Sequence, residues 1–198
     1  MERTIRDLIN SNGHMLYQKY FKRKWVQWNK LCSAMDIVGD TSLAIEWYLS
    51  KGMGSSDGEK YLKLYGLLQA IYLQQDAITA LQDVVSILAS EKKINIKGLK
   101  KQKTKKWNEL RSYRNLSIGH PIECKSYEKG EINRAFISRV TMSDQGFQLS
   151  SNRDKQKDTR FEYVDIKELV AGYKKEAKEN LKGPEQILAK VLKILIKE

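Results

Sequence analysis

Three observations predict a mainly α-helical bundle with a small antiparallel β-sheet inserted before the C-terminal helices. Hydrophobic residues make up 41% of the 198-residue chain, enough for a packed core. Apolar residues recur at helical spacing up to Pro121, and a pattern of short strands follows. Two prolines and 12 glycines leave little room for long irregular segments. We therefore expect one domain over 1–198, with a core bundle (15–121), a β insertion (133–164) and C-terminal helices (165–198).

The first part of the core is predicted to hold two helices and a loop. Apolar residues at spacings of three to five predict a helix from Met15 to Ile37, which Gly39 ends. A second, short helix follows through Tyr48 or Leu49. Its cap is one of three polar residues, Asp40, Thr41 or Ser42. Residues 51–58 predict a loop, and residues 1–14 are polar and ambiguous.

The strongest helical pattern extends from Glu59 to about Ser90. It predicts a helix at the centre of the bundle, with one apolar stripe and a second set of residues that widens it. The stripe comprises Tyr61, Leu64, Leu68, Ile71, Ile78, Leu81, Val85 and Leu88, and the second set Leu62, Leu67, Leu73, Ala77 and Val84. Gln75 stands where the stripe needs its next apolar residue. A buried glutamine requires hydrogen-bond partners, so we regard Gln75 as a supporting polar residue, structural or functional.

The second half begins with a lysine-rich connection over 91–106, followed by a helix from about Lys103 to Leu116. Its predicted inward residues are Trp107, Leu110, Tyr113 and Leu116 or Ser117. After Pro121 the pattern predicts three strands, with a turn at 143–146. The strands are 135–142, 147–151 and 160–164. Asp165 then caps a helix to about Leu181, and Pro184 begins a last amphipathic helix.

The net charge of +12 is concentrated in the second half of the chain. Residues 1–90 hold 10 Lys/Arg and 9 Asp/Glu, whereas residues 91–198 hold 26 and 15. Residues 91–106 alone contribute +7. Such an excess indicates either a polyanionic partner for this half or a contribution to solubility alone.

Other features narrow the class of protein. No run of about 18 apolar residues is present, and the N-terminus lacks the apolar stretch of a signal peptide. Cys32 and Cys124 fit no metal or redox spacing. These observations predict a reduced, cytoplasmic protein that is not associated with a membrane and binds no metal and no cofactor.

One segment, residues 111–121, combines arginine, asparagine and one of only two histidines in the chain. Gly119 is a natural helix terminator, and Pro121 favours an extended conformation for His120. We therefore expect the helix to stop near Ile118, so that His120 curls back towards Arg114. Arginine offers a planar fork to phosphate oxygens, and histidine transfers protons near neutral pH.

Those two groups suit metal-free RNA cleavage. In that reaction the 2′-hydroxyl attacks the adjacent phosphorus, one group moves protons and another stabilises the charge that builds on the non-bridging oxygens. Asn115 either holds a phosphate or orients Arg114 and His120. The absence of a carboxylate cluster from the sequence favours a metal-independent route. Arginine, asparagine and histidine are also ordinary residues of a helix end, and an isolated Arg–His spacing of this kind is common by chance.

The segment Arg114-Asn115-(four residues)-His120 resembles the Arg-(four to six residues)-His motif of the HEPN superfamily, in which a polar residue often follows the arginine. The stretch from Tyr61 to Ile78 is similar to the helix that precedes the motif in bacterial members. The resemblance covers roughly residues 15–121. It implies an all-α bundle and a metal-independent endoribonuclease.

The resemblance also implies roles and partners. Arg114 and His120 would be catalytic and Asn115 supporting, and two copies of the motif would face one cleft in a homodimer. Many bacterial members are toxins or anti-phage effectors that cut tRNA, mRNA or rRNA. Some pair with a nucleotidyltransferase antitoxin that adenylylates a tyrosine two residues after the histidine, a position that Ile122 occupies in this chain.

The basic residues next to the motif are candidates for binding RNA. They are Lys100, Lys101, Lys103, Lys105, Lys106 and Arg111. Two alternatives to the nuclease remain open: a non-catalytic RNA- or nucleotide-binding protein that kept the motif, and a helical interaction scaffold. The role of the β insertion is unassigned.

Overall fold

The fold consists mainly of α-helices with a small antiparallel sheet, which confirms the predicted class. A computed structural model describes residues 2–96, 99, 103–119, 122, 124–125, 132–153 and 159–197. The chain divides into two compact units. Unit 1 comprises Met1–Leu43, Leu73–Gln102 and Lys174–Glu198, and unit 2 comprises Ala44–Tyr72 and Lys103–Tyr173.

Five α-helices and four strands are present in the described ranges. The helices are α1 (Glu2–Leu16), α2 (Trp25–Lys51), α3 (Asp57–Glu91), α4 (Lys105–Arg114) and α5 (Ile166–Lys197). The strands are β1 (Cys124–Lys125), β2 (Ile132–Ser138), β3 (Gly146–Arg153) and β4 (Arg160–Asp165). Two π-helical turns, Tyr17–Phe21 and Asn115–Gly119, follow α1 and α4.

The polar N-terminus forms a helix that the sequence did not reveal. Only a sparse apolar stripe, Ile5, Ile9 and Leu16, buries one face of α1. The predicted helix from Met15 to Ile37 is wrong at its start, because the helical conformation is interrupted between Phe21 and Trp25. The break coincides with a fully buried Phe21, whose ring lies 5.3 Å from that of Trp28.

Gly39 does not end a helix, contrary to the prediction, since α2 runs through it without interruption. A glycine inside a helix costs about 0.5–1 kcal/mol relative to alanine, which burial of apolar neighbours such as Val38 and Ile45 outweighs. The predicted cap does not form either. The hydroxyl of Ser42 donates instead to the carbonyl of Val38, at 2.7 Å, within the same helix.

Pro184 lies inside α5, so the two predicted C-terminal helices are one. A proline has no N–H to donate to the carbonyl four residues earlier, which belongs here to Asn180. The side-chain amide of Gln82 donates to that carbonyl at 3.0 Å. Gln82 and Asn180 are both buried, so this bond satisfies a polar group that the proline would leave without its usual donor.

The sheet of unit 2 has the order β1-β2-β3-β4, with antiparallel neighbours throughout. Three of these strands were predicted; β1, which begins at Cys124, was not. The strand predicted to reach Met142 ends at Ser138 in a 3-10 turn, Arg139–Thr141, because the hydroxyl of Thr141 donates to the Ser138 carbonyl at 2.8 Å. Asp165 caps α5 as predicted: the backbone N–H of Glu168 donates to its carboxylate at 2.8 Å.

Helix α3 matches the predicted central helix, and most of its apolar stripe is buried. Two residues of the widening set do not belong to the core: Leu62 is 75% exposed and Leu73 is 41% exposed. The buried face is therefore narrower than the sequence pattern indicated. The N-terminal part of α3 belongs to unit 2, where it positions the site described next.

Candidate functional site

Helix α4 is anchored by the face that the sequence predicted to point inward. Trp107, Leu110 and Tyr113 are all buried, and the Trp107 ring lies 5.5 Å from the ring of Tyr173. The hydroxyl of Tyr113 donates to the carboxylate of Glu162 on β4. This anchoring fixes the C-terminal end of α4, where the candidate motif begins.

The π-helical turn Asn115–Gly119 continues α4, so the helical run ends one residue beyond the predicted stop at Ile118. The backbone N–H of Asn115 is shared between the carbonyls of Arg111 and Ser112, four and three residues earlier, as is common at the end of an α-helix. Such π turns occur frequently at functional sites. The turn contacts strands β1 and β2, so it lies against one edge of the sheet.

Arg114 is held by side chains from two helices and by a glycine. Its Nε donates to Oε1 of Gln69 on α3 at 3.0 Å, and its Nη1 donates to Oδ1 of Asn115 at 3.1 Å. Its guanidinium carbon lies 4.3 Å from the centre of the Tyr72 ring. A Cβ atom on Gly119 would lie 2.5 Å from Nη1, so only glycine fits there without displacing the guanidinium.

Every partner of Arg114 within the described part of the chain is electrically neutral. Gln69 and Asn115 are amides and Tyr72 contributes its ring, and no described carboxylate lies within 4.0 Å of the guanidinium. Among the described residues, the side chain is therefore oriented by neutral groups and has no carboxylate partner. A half-buried arginine in this state is well placed to bind an anion. Its side chain is ordered before binding, so the anion does not have to offset the conformational entropy of ordering it.

Arg111 adds a second cation to the same ring. Its guanidinium carbon lies 4.1 Å from the centre of the Tyr72 ring, on α3. The two arginine head groups therefore converge on one aromatic side chain, an arrangement that cation–π attraction stabilises. Both are half-buried rather than fully exposed.

Gln69 and Tyr72 were missed by the sequence analysis, which named Gln75 on the same helix instead. Gln69 and Tyr72 are three residues apart and thus share a face of α3. A polar and an aromatic residue at that spacing, beside the apolar stripe of α3, is the signal that was available. Gln75 is fully buried in unit 1, where its backbone carbonyl accepts a hydrogen bond from the hydroxyl of Thr79 at 2.9 Å.

The candidate RNA-binding lysines differ in their surroundings. Lys103 is exposed and precedes α4. Lys105 lies 3.5 Å from Glu109, and Lys106 donates to Glu168 at 2.8 Å. The hydrogen bond to Glu168 raises the pKa of Lys106. Lys106 is therefore part of a surface ion pair.

Three candidate residues, Lys100, Lys101 and His120, lie outside the described residues. Among the described residues, no three His, Cys, Asp or Glu side chains cluster as a metal site would require. None of the described helices combines the length and the apolar character needed to cross a membrane.

No family model matches the chain, and no curated protein or solved structure was found to match it. The chemistry of the site therefore follows from its own side chains. They provide an oriented arginine with no carboxylate partner in the described part of the chain, a second arginine on the same ring and two amides.

Proposed function

We propose that this protein is a metal-independent endoribonuclease of the HEPN type, with Arg114 as the residue that binds the scissile phosphate. One observation carries the proposal: the guanidinium of Arg114 is oriented by neutral groups at 3.0 and 3.1 Å and has no carboxylate partner in the described chain. A purely structural arginine at a helix end gains from an acidic partner. In an arginine that binds phosphate, an acidic partner would instead weaken the affinity for the phosphate.

In the proposed reaction, O2′ of the substrate bonds to the adjacent phosphorus and the bond from phosphorus to O5′ breaks. The products are a 2′,3′-cyclic phosphate and a 5′-hydroxyl. His120 takes the proton from the 2′-hydroxyl, and O5′ leaves with a proton from an acid or from water. Arg114 stabilises the negative charge on the non-bridging oxygens, which is largest in the transition state.

The neighbouring residues have positioning roles in this proposal. Gln69 and Asn115 fix the plane of the Arg114 guanidinium, and Gly119 leaves room for it. Tyr72 supports the head groups of Arg114 and Arg111. Arg111 then supplies a second positive charge near the substrate backbone.

The resemblance to HEPN proteins extends the proposal to partners. We expect a homodimer whose two motifs face one cleft, a cytoplasmic location, a role as a toxin or anti-phage effector, and an antitoxin or regulatory partner. The lysines upstream of the motif helix would draw RNA towards the cleft.

Cleavage of RNA in EDTA tests the proposal. We expect wild type to release products ending in a 2′,3′-cyclic phosphate, and Arg114→Ala and His120→Ala to lose about 10²-fold or more in rate. Lys106→Ala is the matched control on the same helix and should retain activity. Products formed equally by all four proteins would overturn the proposal.

A second function, RNA or nucleotide binding without cleavage, is favoured by the observation that the head groups of Arg111 and Arg114 lie on one aromatic ring. It predicts salt-sensitive RNA binding by wild type with no products, and loss of that binding in Arg114→Ala. Absence of both binding and cleavage would leave the scaffold alternative.

A further inference from the structure

The outer face of the sheet in unit 2 carries three exposed aromatic side chains. Phe136 is 58% exposed, Phe161 is 64% exposed and Tyr163 is 55% exposed. The strand register places them on one face, since Phe136 pairs with Ser150, Ser150 with Phe161, and Gln148 with Tyr163. We call this surface the outer face; its positions are 134, 136, 138, 148, 150, 152, 161 and 163.

The opposite, inner face already supplies the hydrophobic contacts that the sheet needs. Its apolar residues are buried: Ala135, Ile137, Phe147, Leu149 and Val164. The hydroxyl of Tyr61 on α3 donates to the Ile137 carbonyl at 3.2 Å, and that of Tyr113 on α4 donates to Glu162. The outer aromatics are therefore not needed for the core of unit 2.

The three rings are also not used to stabilise one another. Phe136 and Phe161 lie two strands apart, about 9.6 Å, with Ser150 between them. Phe161 and Tyr163 are about 6.8 Å apart along β4. In the described part of the chain, none of the three rings stacks on another aromatic ring or lies under a cation. Each ring thus keeps a face for a ligand.

The polar residues of the outer face suit the edges of nucleic-acid bases. Ser138, Gln148 and Asn152 offer hydroxyl and amide groups beside the rings, whereas Ser150, between Phe136 and Phe161, is buried. Arg134 is the one charged residue at the eight positions. No carboxylate repels a phosphate there, in a chain of net charge +12. Single-stranded RNA is typically bound by stacking bases on aromatic side chains and hydrogen-bonding their edges.

We infer that the outer face binds single-stranded RNA, with bases stacked on Phe136, Phe161 and Tyr163. A second copy of the chain suits the face less well, because five of its eight positions are polar, whereas the core of a homodimer interface is mostly apolar. The choice of RNA over DNA rests on the proposed function. The π-helical turn that follows Arg114 contacts β2, the strand that carries Phe136, so RNA held on the sheet lies close to the cleavage site.

Fluorescence anisotropy tests the inference, with a labelled 12-nucleotide RNA of mixed sequence as the probe. The RNA is 2′-O-methylated, so it has no nucleophile for cleavage. We expect Phe136→Ala and Phe161→Ala each to weaken binding about 5- to 100-fold, because each removes one stacking platform. Tyr163→Phe keeps the ring and should bind like wild type. Val140→Ala is the exposed control outside the sheet, since Val140 is 90% exposed in the 3-10 turn.

Two further measurements separate stacking from simple apolar contact. Phe161→Leu keeps an apolar side chain without a π face and should bind as weakly as Phe161→Ala. A duplex of the same sequence hides its base faces, so its binding should change less than 2-fold in all variants. Circular dichroism and Tm should stay close to wild type, because the altered side chains lie outside the core.

Several results would overturn the inference. They are wild-type binding by the alanine variants, wild-type binding by Phe161→Leu, or a change in sedimentation without a change in RNA affinity, which would make the face a contact between copies.

The proposed nuclease is tested separately. If wild type fails to cut RNA in EDTA but Phe136→Ala still loses binding, the outer face stands and the nuclease fails. If Arg114→Ala abolishes cleavage while Phe136→Ala and Phe161→Ala bind like wild type, the reverse holds.

Discussion

The two ends of helix α4 treat their positive charges in opposite ways. At the N-terminal end, Lys106 donates to Glu168 at 2.8 Å and Lys105 lies near Glu109. At the C-terminal end, the partners to which Arg114 donates among the described residues are the amides of Gln69 and Asn115. The sequence presents all of these cations as one basic segment. Their partners in the described ranges show that Lys105 and Lys106 take part in surface ion pairs, while the groups that orient Arg114 are neutral.

This difference teaches that the local density of positive charge does not identify a binding residue. A surface ion pair contributes at most about 1 kcal/mol, because solvent screens the charges and holding two long side chains in one geometry costs entropy. A guanidinium fixed by neutral hydrogen bonds and an aromatic ring is arranged before any ligand arrives. Matched substitutions at the two ends of α4 test this difference.

The largest effect is expected from Arg114→Lys. Lysine keeps the charge but has no planar fork, so it cannot donate to both amides and to a phosphate in the same geometry. We expect the cleavage rate in EDTA to fall about 10²-fold. Lys106→Arg is the matched exchange at the other end, where a single carboxylate is the partner, and its rate should stay within about 2-fold of wild type. Equal rates for the two variants would remove the distinction between the ends.

A smaller effect is expected from Gly119→Ala. The added Cβ would meet Nη1 of Arg114 at 2.5 Å and turn the guanidinium away. We expect cleavage to fall about 10-fold, since misplacing a group by about 1 Å costs up to 10²-fold. Gly172→Ala is the control at the other end of α4, because its Cβ would meet Cδ of Lys106 at the same 2.5 Å. That variant should cut RNA normally; a similar loss in both would point to a general distortion of α4.

The hydrogen bond from Tyr113 on α4 to Glu162 on β4 predicts a modest change in the free energy of unfolding with pH. Burial, reinforced by the hydrogen bond to Glu162, raises the pKa of Tyr113 above its ordinary value of 10.0. The native state therefore holds this proton more tightly than the unfolded state, so the stabilisation is complete below pH 10 and is lost as the pH rises further. Unfolding in urea between pH 9 and about 11 should show a steeper loss in wild type than in Tyr113→Phe. Parallel curves would contradict this.

The smallest effect is expected from Lys105→Ala. The pair with Glu109 is exposed, so the free energy of unfolding should change by less than about 0.5 kcal/mol. If Lys105 contacts RNA phosphate, the slope of log affinity against log salt should decrease by about 1. An unchanged slope would show that Lys105 does not contribute to binding RNA.

The sequence predicted much of the fold, because periodicity reports which residues are buried. The central helix, the strands β2 to β4 and the Asp165 cap all follow from local patterns. The continuous passage of α2 through Gly39 and of α5 through Pro184 does not. In both places a local penalty is offset by tertiary packing, and at Pro184 by a hydrogen bond from Gln82 that only the fold brings into place.

The candidate site was predictable only where its residues are neighbours in sequence. Arg114 and Asn115 are adjacent, and both were named. Gln69 lies 45 residues before Arg114, on a different helix. Helical periodicity shows which face of α3 is buried, but it does not show which other helix that face meets. The choice between Gln69 and Gln75 therefore required the tertiary structure.

The central claim is that neutral partners preserve the charge of Arg114 for the substrate. Gln69→Glu tests it most directly, since glutamate has the same shape and still accepts from Nε of Arg114, but it pairs with the charge. We predict that the rate of RNA cleavage in EDTA falls at least about 10-fold while Tm stays the same or rises. Glu168→Gln, which releases Lys106 from its pair, should leave the rate unchanged. Wild-type cleavage by Gln69→Glu would contradict the account.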